Sequence, residues 1–193
     1  MTPGEAGREK PDRMMEPPRR LVLGVTGHRR LELEKKVAAA VDAVLDEIVR
    51  RAAGERAAGQ HGAGEDAPPL KLSVLSPLAE GADRLVAKRV LAREGGELEA
   101  VLPMDEREYE ADFATDASRA EFRSLLARAC TIHRLPPVPK REEAYAAAGR
   151  YVVDRCDILI AVWDGAPEEG RGGTAEIVRY ARARARRLVI IGP

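Results

Sequence analysis

The first segment whose residue types suit a chemical role is residues 24–29, Gly-Val-Thr-Gly-His-Arg, which continues a short apolar run. Gly27 allows a tight turn and a close approach of backbone amides to an anion. Thr26 offers a hydroxyl group, and Arg29 can hold a phosphate with two hydrogen bonds. The spacing is not the G-x-G-x-x-G of ordinary dinucleotide-binding proteins. A plain strand-to-helix turn, with His28 as a hydrogen-bonding loop residue and not a general base, explains the segment equally well.

A second candidate loop follows the next apolar run and contains Glu80-Gly81-Ala82-Asp83. Gly81 and Ala82 open a predicted helix, whose N-terminal amides could face a ligand. Asp83 is suited to capping those amides, and we expect it to act chiefly as a cap. Rossmann-type sites hold ribose hydroxyls with an acidic side chain after the second strand, and Glu80 is the better candidate for that contact.

The strongest candidate lies in the last part of the sequence. An apolar run leads into Trp163-Asp164-Gly165, and a glycine pair, Gly172 and Gly173, then enters a predicted helix. Bare amides at a helix N-terminus favour phosphate, because the helix dipole and the unpaired N–H groups attract negative charge. Thr174 adds a hydroxyl group, and Glu176 points either toward the same crevice or back to its own helix start. Helix capping alone would explain Thr174 and Glu176 but not the glycine pair.

A fourth segment is acidic and follows the third predicted strand, with Asp105 nearest the strand end. Runs of acidic residues usually form a solvated surface, and this one is predicted to be a lid. Tyr109 and Phe113 within it could cover a base or another ring.

These loops need a scaffold that brings them together. Apolar runs predict strands at 21–25, 70–75, 98–102, 131–135, 158–162 and 188–191. Helical patterns are found between them, at 33–52, 82–93, 117–129, 142–155 and 174–186. This alternation is typical of a doubly wound, mostly parallel sheet, so we predict a single-domain Rossmann-like α/β fold over residues 20–193. Residues 1–19 are predicted to be a disordered leader and residues 54–69 a flexible loop.

Composition narrows the classes of function. The 193 residues are 45% hydrophobic, 33% charged and 4% aromatic, which is typical of a globular domain with an aliphatic core. Lys plus Arg and Asp plus Glu both number 32, and this balance argues against a nucleic-acid partner. No apolar run reaches the roughly 18 residues of a membrane span, so no membrane partner is predicted. Cys130 and Cys156 lack metal-site spacing and are predicted to be buried, reduced thiols of a cytoplasmic protein without a metal site.

The segments GVTGHR, LAEGADR, CDILIAVWDG and GGTAE, in this order, resemble the SLOG superfamily, which is named after DNA-processing protein A and the LOG cytokinin-activating enzymes. The resemblance spans about residues 20–193. It implies a Rossmann-like fold that binds a nucleotide or a nucleotide-derived molecule such as ADP-ribose, in some members as a sensor attached to an effector.

Other members hydrolyse the N-glycosidic bond of nucleoside monophosphates, and these carry a P-G-G-x-G-T-x-x-E motif. Gly173 and Thr174 match its G-T, but no proline precedes them, and Glu176 comes one residue early. On a helix this shift turns the carboxylate by about 100°, so the binding role of the glycines carries over better than the catalytic role of the acid.

Three functions stay open on the sequence alone. The first is a sensor domain for a small nucleotide or NAD-derived ligand, with a homodimer or an effector protein as a further partner. The alternative is a nucleotide N-glycosidase, with Glu176, Asp164 or Glu80 supplying the carboxylate beside the ribose. Single-stranded DNA binding is the least favoured, because it needs a basic groove and stacking aromatics.

Overall fold

The structure is a computed structural model that describes residues 20–59, 70–167 and 173–192. The predicted leader, residues 1–19, lies outside the described residues. So do residues 60–69 of the predicted flexible loop and Gly172 of the predicted phosphate site.

The described residues contain one six-stranded sheet in which every neighbouring pair of strands is parallel. Its strands are β1 (Arg20–Gly27), β2 (Lys71–Ser76), β3 (Glu97–Leu102), β4 (Thr131–Arg134), β5 (Ile158–Val162) and β6 (Arg187–Ile191). Their order across the sheet is β4-β3-β2-β1-β5-β6. The predicted Rossmann-like α/β fold is confirmed.

Helices pack on both faces of the sheet. They are α1 (Glu34–Gly59), α2 (Ala82–Leu91), α3 (Glu106–Glu110), α4 (Asp116–Ala127), α5 (Arg141–Arg155) and α6 (Thr174–Ala183). One face forms a core with α1, α2 and α4 that includes Val41, Val86 and Phe122. The other forms a core with α5 and α6 that includes Val152 and Ile177. Within the part of the chain that the structure describes, no helix is long and apolar enough to cross a membrane.

The strand order changes direction at β1. This strand pairs with β2 on one side and with β5 on the other, so that Gly27 lies level with Val162. All five residues of β5 are buried, as expected for a central strand covered on both faces. In parallel sheets such a switch point opens a crevice beyond the carboxyl ends of the strands, where ligands bind.

Two predictions about surface and burial are wrong. Helix α1 continues to Gly59, so residues 54–59 are helical and do not belong to a flexible loop. The apolar stripe ends near Ala52, but residues 55–58, Glu-Arg-Ala-Ala, favour a helix without any need to pack. Cys130 is exposed beside the edge strand β4, whereas Cys156 is buried as predicted.

The acidic segment after β3 also differs from its prediction as a solvated lid. It contains the short helix α3, which Asp105 caps by accepting a hydrogen bond from the Arg107 backbone N–H at 3.0 Å. Phe113 does not cover a ligand site but is completely buried, with its ring centroid 5.1 Å from that of Phe122. The segment therefore contributes to the core, and Tyr109, 1% exposed, is held against the same aromatic cluster.

Candidate functional site

A cavity of about 350 Å³ lies at the carboxyl ends of the first three strands, bounded on its other side by α5 and α6. It brings together six of the predicted site residues, namely Thr26, Gly27, Arg29, Asp83, Gly173 and Thr174. Pro77 and Ala79 from the loop after β2, and Pro103 from the end of β3, complete the wall on the sheet side. The topology, which places the ends of parallel strands at one edge, is what collects these residues from distant parts of the sequence.

The loops after β1 and β2 are in direct backbone contact. Gly81 has a φ of 78°, and a Cβ atom there would lie 2.3 Å from the carbonyl oxygen of His28. A Cβ on Gly27 would lie 2.5 Å from the Cβ of Ala82, whose N–H donates to the His28 carbonyl at 3.0 Å. The His28 N–H in turn donates to the Val162 carbonyl at 3.2 Å. Both glycines therefore allow the two loops to approach each other closely. The N–H groups of Ala82 and His28 are already hydrogen-bonded within the protein.

Asp83 does not cap its helix, so the predicted capping role is wrong. The N-cap of α2 is Gly81, and Asp83 lies inside the first turn, where its side chain is directed to the cavity. The residue is 6% exposed, and its Oδ2 accepts one hydrogen bond, from the Ala79 N–H at 3.3 Å. Burial raises the pKa of Asp83 to about 7, against the opposing effects of that hydrogen bond and of Arg29 and Arg84.

Glu80, predicted to contact a ligand, is engaged elsewhere. Its carboxylate accepts a hydrogen bond from the Ser118 hydroxyl of α4, and it is not part of the cavity wall. Arg84, 2% exposed, ties the same loop to α4 by donating to the Leu78 carbonyl at 3.0 Å and to the Ser118 hydroxyl at 2.9 Å. These bonds fix the loop that positions Asp83.

Tyr145 of α5 lines the opposite wall of the cavity, and its hydroxyl group is hydrogen-bonded to charged side chains. Its hydroxyl donates to the carboxylate of Asp112, which also accepts a hydrogen bond from the Nε of Arg141 at 2.8 Å. Burial and the bond to Asp112 raise the pKa of Tyr145 above its ordinary value. The guanidinium carbon of Arg29 lies 5.2 Å from the centre of the Tyr145 ring, an arrangement that holds the cation at the cavity.

The N-terminus of α6 meets the cavity at Gly173 and Thr174. Gly173 is the N-cap residue of α6, with φ −76° and ψ 166°. It makes no side-chain capping hydrogen bond. Thr174 is 4% exposed and lines the cavity. The positive end of the helix dipole therefore faces the same space as Arg29.

Glu176, predicted as a ligand contact and catalytic acid, does not line this cavity. Its carboxylate pairs with Arg150 at 2.6 Å, and Ile177 takes the position on the cavity wall. Helix α6 packs closely on α5 here, because a Cβ on Gly149 would lie 2.4 Å from the Cδ1 of Ile177. The carboxylate of Glu176 therefore lies away from the cavity. This agrees with its position one residue earlier than the acidic residue of the hydrolase motif, a shift that turns the side chain about the helix axis.

His28 and Asp164 do not line this cavity but meet at a second one, and Trp163 lines neither. The Nε2 of His28 is 3.3 Å from a carboxylate oxygen of Asp164, and both residues line a separate cavity of about 380 Å³ that also includes Arg29. The hydrogen bond from the Ala166 N–H lowers the pKa of Asp164, and the neighbouring His28 lowers it further. The Trp163 indole donates to the Ala166 carbonyl at 2.9 Å. Of the predicted site residues, the second cavity thus collects His28 and Asp164 and shares Arg29 with the first.

No family model matches the chain, and no curated protein matches its sequence. Among solved structures, it is similar to DNA processing protein A from Helicobacter pylori, solved in a study of that protein's single-stranded DNA binding mode. The TM-score is 0.53 at 14% sequence identity, over 88% of this chain and 64% of that chain. This chain therefore matches a little less than two thirds of its neighbour's length. At this identity the likeness concerns the fold alone, and the chain is a Rossmann-like α/β domain similar in fold to DNA processing protein A.

Proposed function

We propose that the chain is a SLOG-type sensor domain that binds a small phosphorylated ligand, a nucleotide or a nucleotide-derived molecule, in the cavity at the ends of β1, β2 and β3. One observation carries the proposal: Arg29 and the N-terminus of α6 meet in a cavity that also contains a buried carboxyl group, Asp83. A guanidinium and a helix N-terminus are each suited to phosphate, and together they mark one end of the cavity as an anion site.

The size of the cavity favours a single nucleotide over a polynucleotide strand. Small-molecule sites span roughly 300–1,000 Å³, and this cavity of about 350 Å³ lies at the lower end. Strand-binding grooves also need aromatic faces on which bases stack. Of the two aromatic residues in the wall, Tyr109 is 1% exposed and Tyr145 carries Arg29 over its ring. The single-stranded DNA reported for the structural neighbour is therefore the second candidate ligand here.

The N-glycosidase alternative needs a carboxylate at the ribose. Glu176 pairs with Arg150, and neither Asp164 nor Glu80 lines the cavity, which leaves Asp83 as the candidate carboxyl group among the residues that the structure describes. Release of free base from AMP or NAD, followed by chromatography, separates this activity from binding alone.

Replacing Arg29 with alanine is expected to weaken nucleotide binding about 10- to 100-fold. The reason is the loss of a charge-assisted hydrogen bond, typically about 1.5–3 kcal/mol. Titration calorimetry with AMP, ADP-ribose and NAD measures the affinity of the parent and of Arg29→Ala. The matched control is Arg30→Ala, because Arg30 has the same charge but does not line this cavity. Equal losses in the two variants would show general attraction between charges and not a phosphate contact.

Gly173→Val is expected to weaken binding at least tenfold while the domain stays folded. The backbone conformation of Gly173 is open to any residue, so valine adds bulk where the ligand approaches without straining the chain. Circular dichroism checks the fold, and calorimetry the affinity. A folded variant that binds nucleotides like the parent would exclude the phosphate from the start of α6. A parent that binds oligonucleotides with a steep salt dependence, and no mononucleotide, would favour the second candidate ligand.

A further inference from the structure

A proline-rich segment, residues 135–140 (Leu-Pro-Pro-Val-Pro-Lys), connects β4 to α5 on the surface. Residues 136–140 are all exposed. Val138, 38% exposed, is one of four large hydrophobic residues that are exposed in the part of the chain that the structure describes. A groove of about 330 Å³ lies beside the segment, bordered by Pro137, Val138 and Pro139. None of these residues lines the cavity at the ends of β1, β2 and β3, so the proposed ligand site does not account for them.

The residue types of the segment favour the polyproline II conformation. Proline holds φ at about −65° at three of the six positions. A residue that precedes a proline is restricted to extended conformations, and this applies to Leu135, Pro136 and Val138. Lys140 at the end of the segment is also extended, with φ −112° and ψ 132°. The backbone is therefore set in this conformation before any partner binds.

The domain holds the segment at both ends. The Leu135 N–H donates to the Leu102 carbonyl at 3.1 Å and so continues the pairing of β4 with β3. Arg141, the first residue of α5, donates to the carboxylates of Asp112 at 2.8 Å and of Glu108 at 3.0 Å. The residues between these two anchors are presented to solvent in one fixed arrangement.

We propose that residues 136–140 are a docking segment for a partner domain whose binding groove is lined by aromatic side chains. A polyproline II helix has three residues per turn, so Pro136 and Pro139 lie along one edge and can enter two adjacent pockets of such a groove. Lys140 follows them, and its ammonium group forms no ion pair with a described residue, so it is available to an acidic residue at the rim of the groove. Because the segment is already ordered, docking it costs less conformational entropy than docking a flexible chain.

The experiment measures binding of the whole chain to two purified probes, an SH3 domain and a WW domain, both of which bind proline-rich segments in aromatic-lined grooves. Each probe is isotopically labelled and titrated with the unlabelled chain, and its amide resonances report both the affinity and the surface in contact. We expect shifts confined to the aromatic groove of at least one probe.

Variants of the segment test which residues make the contact. Replacing Pro136 and Pro139 together with alanine should weaken binding about tenfold or more, because the change removes both groove contacts and frees the backbone. Val138→Ala is the matched control, since Val138 lies in the same segment but off the edge that the two prolines share, and its affinity should stay within about twofold of the parent. Lys140→Glu should slow association and reverse the salt dependence of binding. Circular dichroism checks that each variant is folded.

The outcomes decide the inference without reference to the ligand of the cavity. Groove shifts that the double proline variant loses and Val138→Ala keeps support it. The absence of shifts in both probes at the highest soluble concentration of the chain overturns it. Equal binding by the parent and the double variant also overturns it, because the contact then lies elsewhere on the chain. If the double variant does not fold, an unchanged affinity and salt dependence in Lys140→Glu overturns the inference instead.

Discussion

At pH 8 the free energy of unfolding of Asp83→Asn is expected to exceed that of the parent by about 4 kcal/mol. The pKa of the Asp83 carboxyl is about 7 in the folded chain against an ordinary value of 3.8, and each unit corresponds to about 1.4 kcal/mol. Between these two values the folded chain binds more protons than the unfolded chain. The parent therefore loses stability as the pH rises from about 4 to about 7, by up to about 1.4 kcal/mol per unit. Asparagine cannot ionise, but its oxygen can still accept the Ala79 N–H.

Urea unfolding of parent and variant at pH 5, 6, 7 and 8 measures this effect. The difference between the two proteins should be about 1.5 kcal/mol at pH 5 and should grow to its largest value at pH 8. The control is Asp116→Asn, because Asp116 is fully exposed and its hydrogen bond with Arg119 lowers its pKa. That variant should show no gain at pH 8. A parallel pH dependence in parent and Asp83→Asn would show that the carboxyl group is not buried as the structure describes.

Gly81→Ala is expected to lower the free energy of unfolding by about 4 kcal/mol. Its φ of 78° is in a region that side chains disfavour, which costs of order 1–3 kcal/mol. A Cβ atom there also lies 2.3 Å from the His28 carbonyl oxygen and 2.5 Å from that of Arg29. Both contacts are backbone atoms, so the loops must separate, and overpacking of this kind typically costs about 1–3 kcal/mol more.

Two other glycines divide this effect into its parts. Gly165 has a φ of 88° but no atom of the described residues within 4 Å of an added Cβ, so Gly165→Ala should show the backbone cost alone. Gly54 lies in α1, where an added Cβ also meets no described atom within 4 Å, and Gly54→Ala should be stabilising by about 0.5–1 kcal/mol. Chemical denaturation of the three variants should rank them in that order. If Gly81→Ala loses no more stability than Gly165→Ala, the two loops are not in contact.

The sheet could be predicted because its strands are short apolar runs. Strand β5 was predicted at its observed bounds, since five buried apolar residues stand between Asp157 and the loop at Trp163. The end of α1 could not be found in the same way. The apolar period stops near Ala52, and beyond it only the helix propensity of the sequence could have predicted that α1 continues to Gly59.

The candidate site was predicted at the level of loops and not of side chains. The parallel topology indicates that the loops after the strands meet, and six predicted residues do lie in one cavity. Which of Glu80 and Asp83 has its side chain in the cavity depends on where α2 begins. A shift of one residue along a helix turns a side chain by about 100° about the helix axis. The hydrogen-bond partners that fix the directions of these side chains, such as Ser118 for Glu80 and Asp112 for Tyr145, are far away in sequence. Local spacing carries no information about these pairs.

The position of β1 in the middle of the sheet has a consequence for the chain during its synthesis. One edge of β1 pairs with β2, but the other pairs with β5, which begins at Ile158. A nascent or truncated chain that ends before β5 therefore exposes the unpaired hydrogen-bonding edge of its most central strand, a template for aggregation. The same chain lacks α6 and with it the part of the cavity wall that Gly173 and Thr174 form. If the proposed ligand binds in this cavity, it stabilises only chains that include α6.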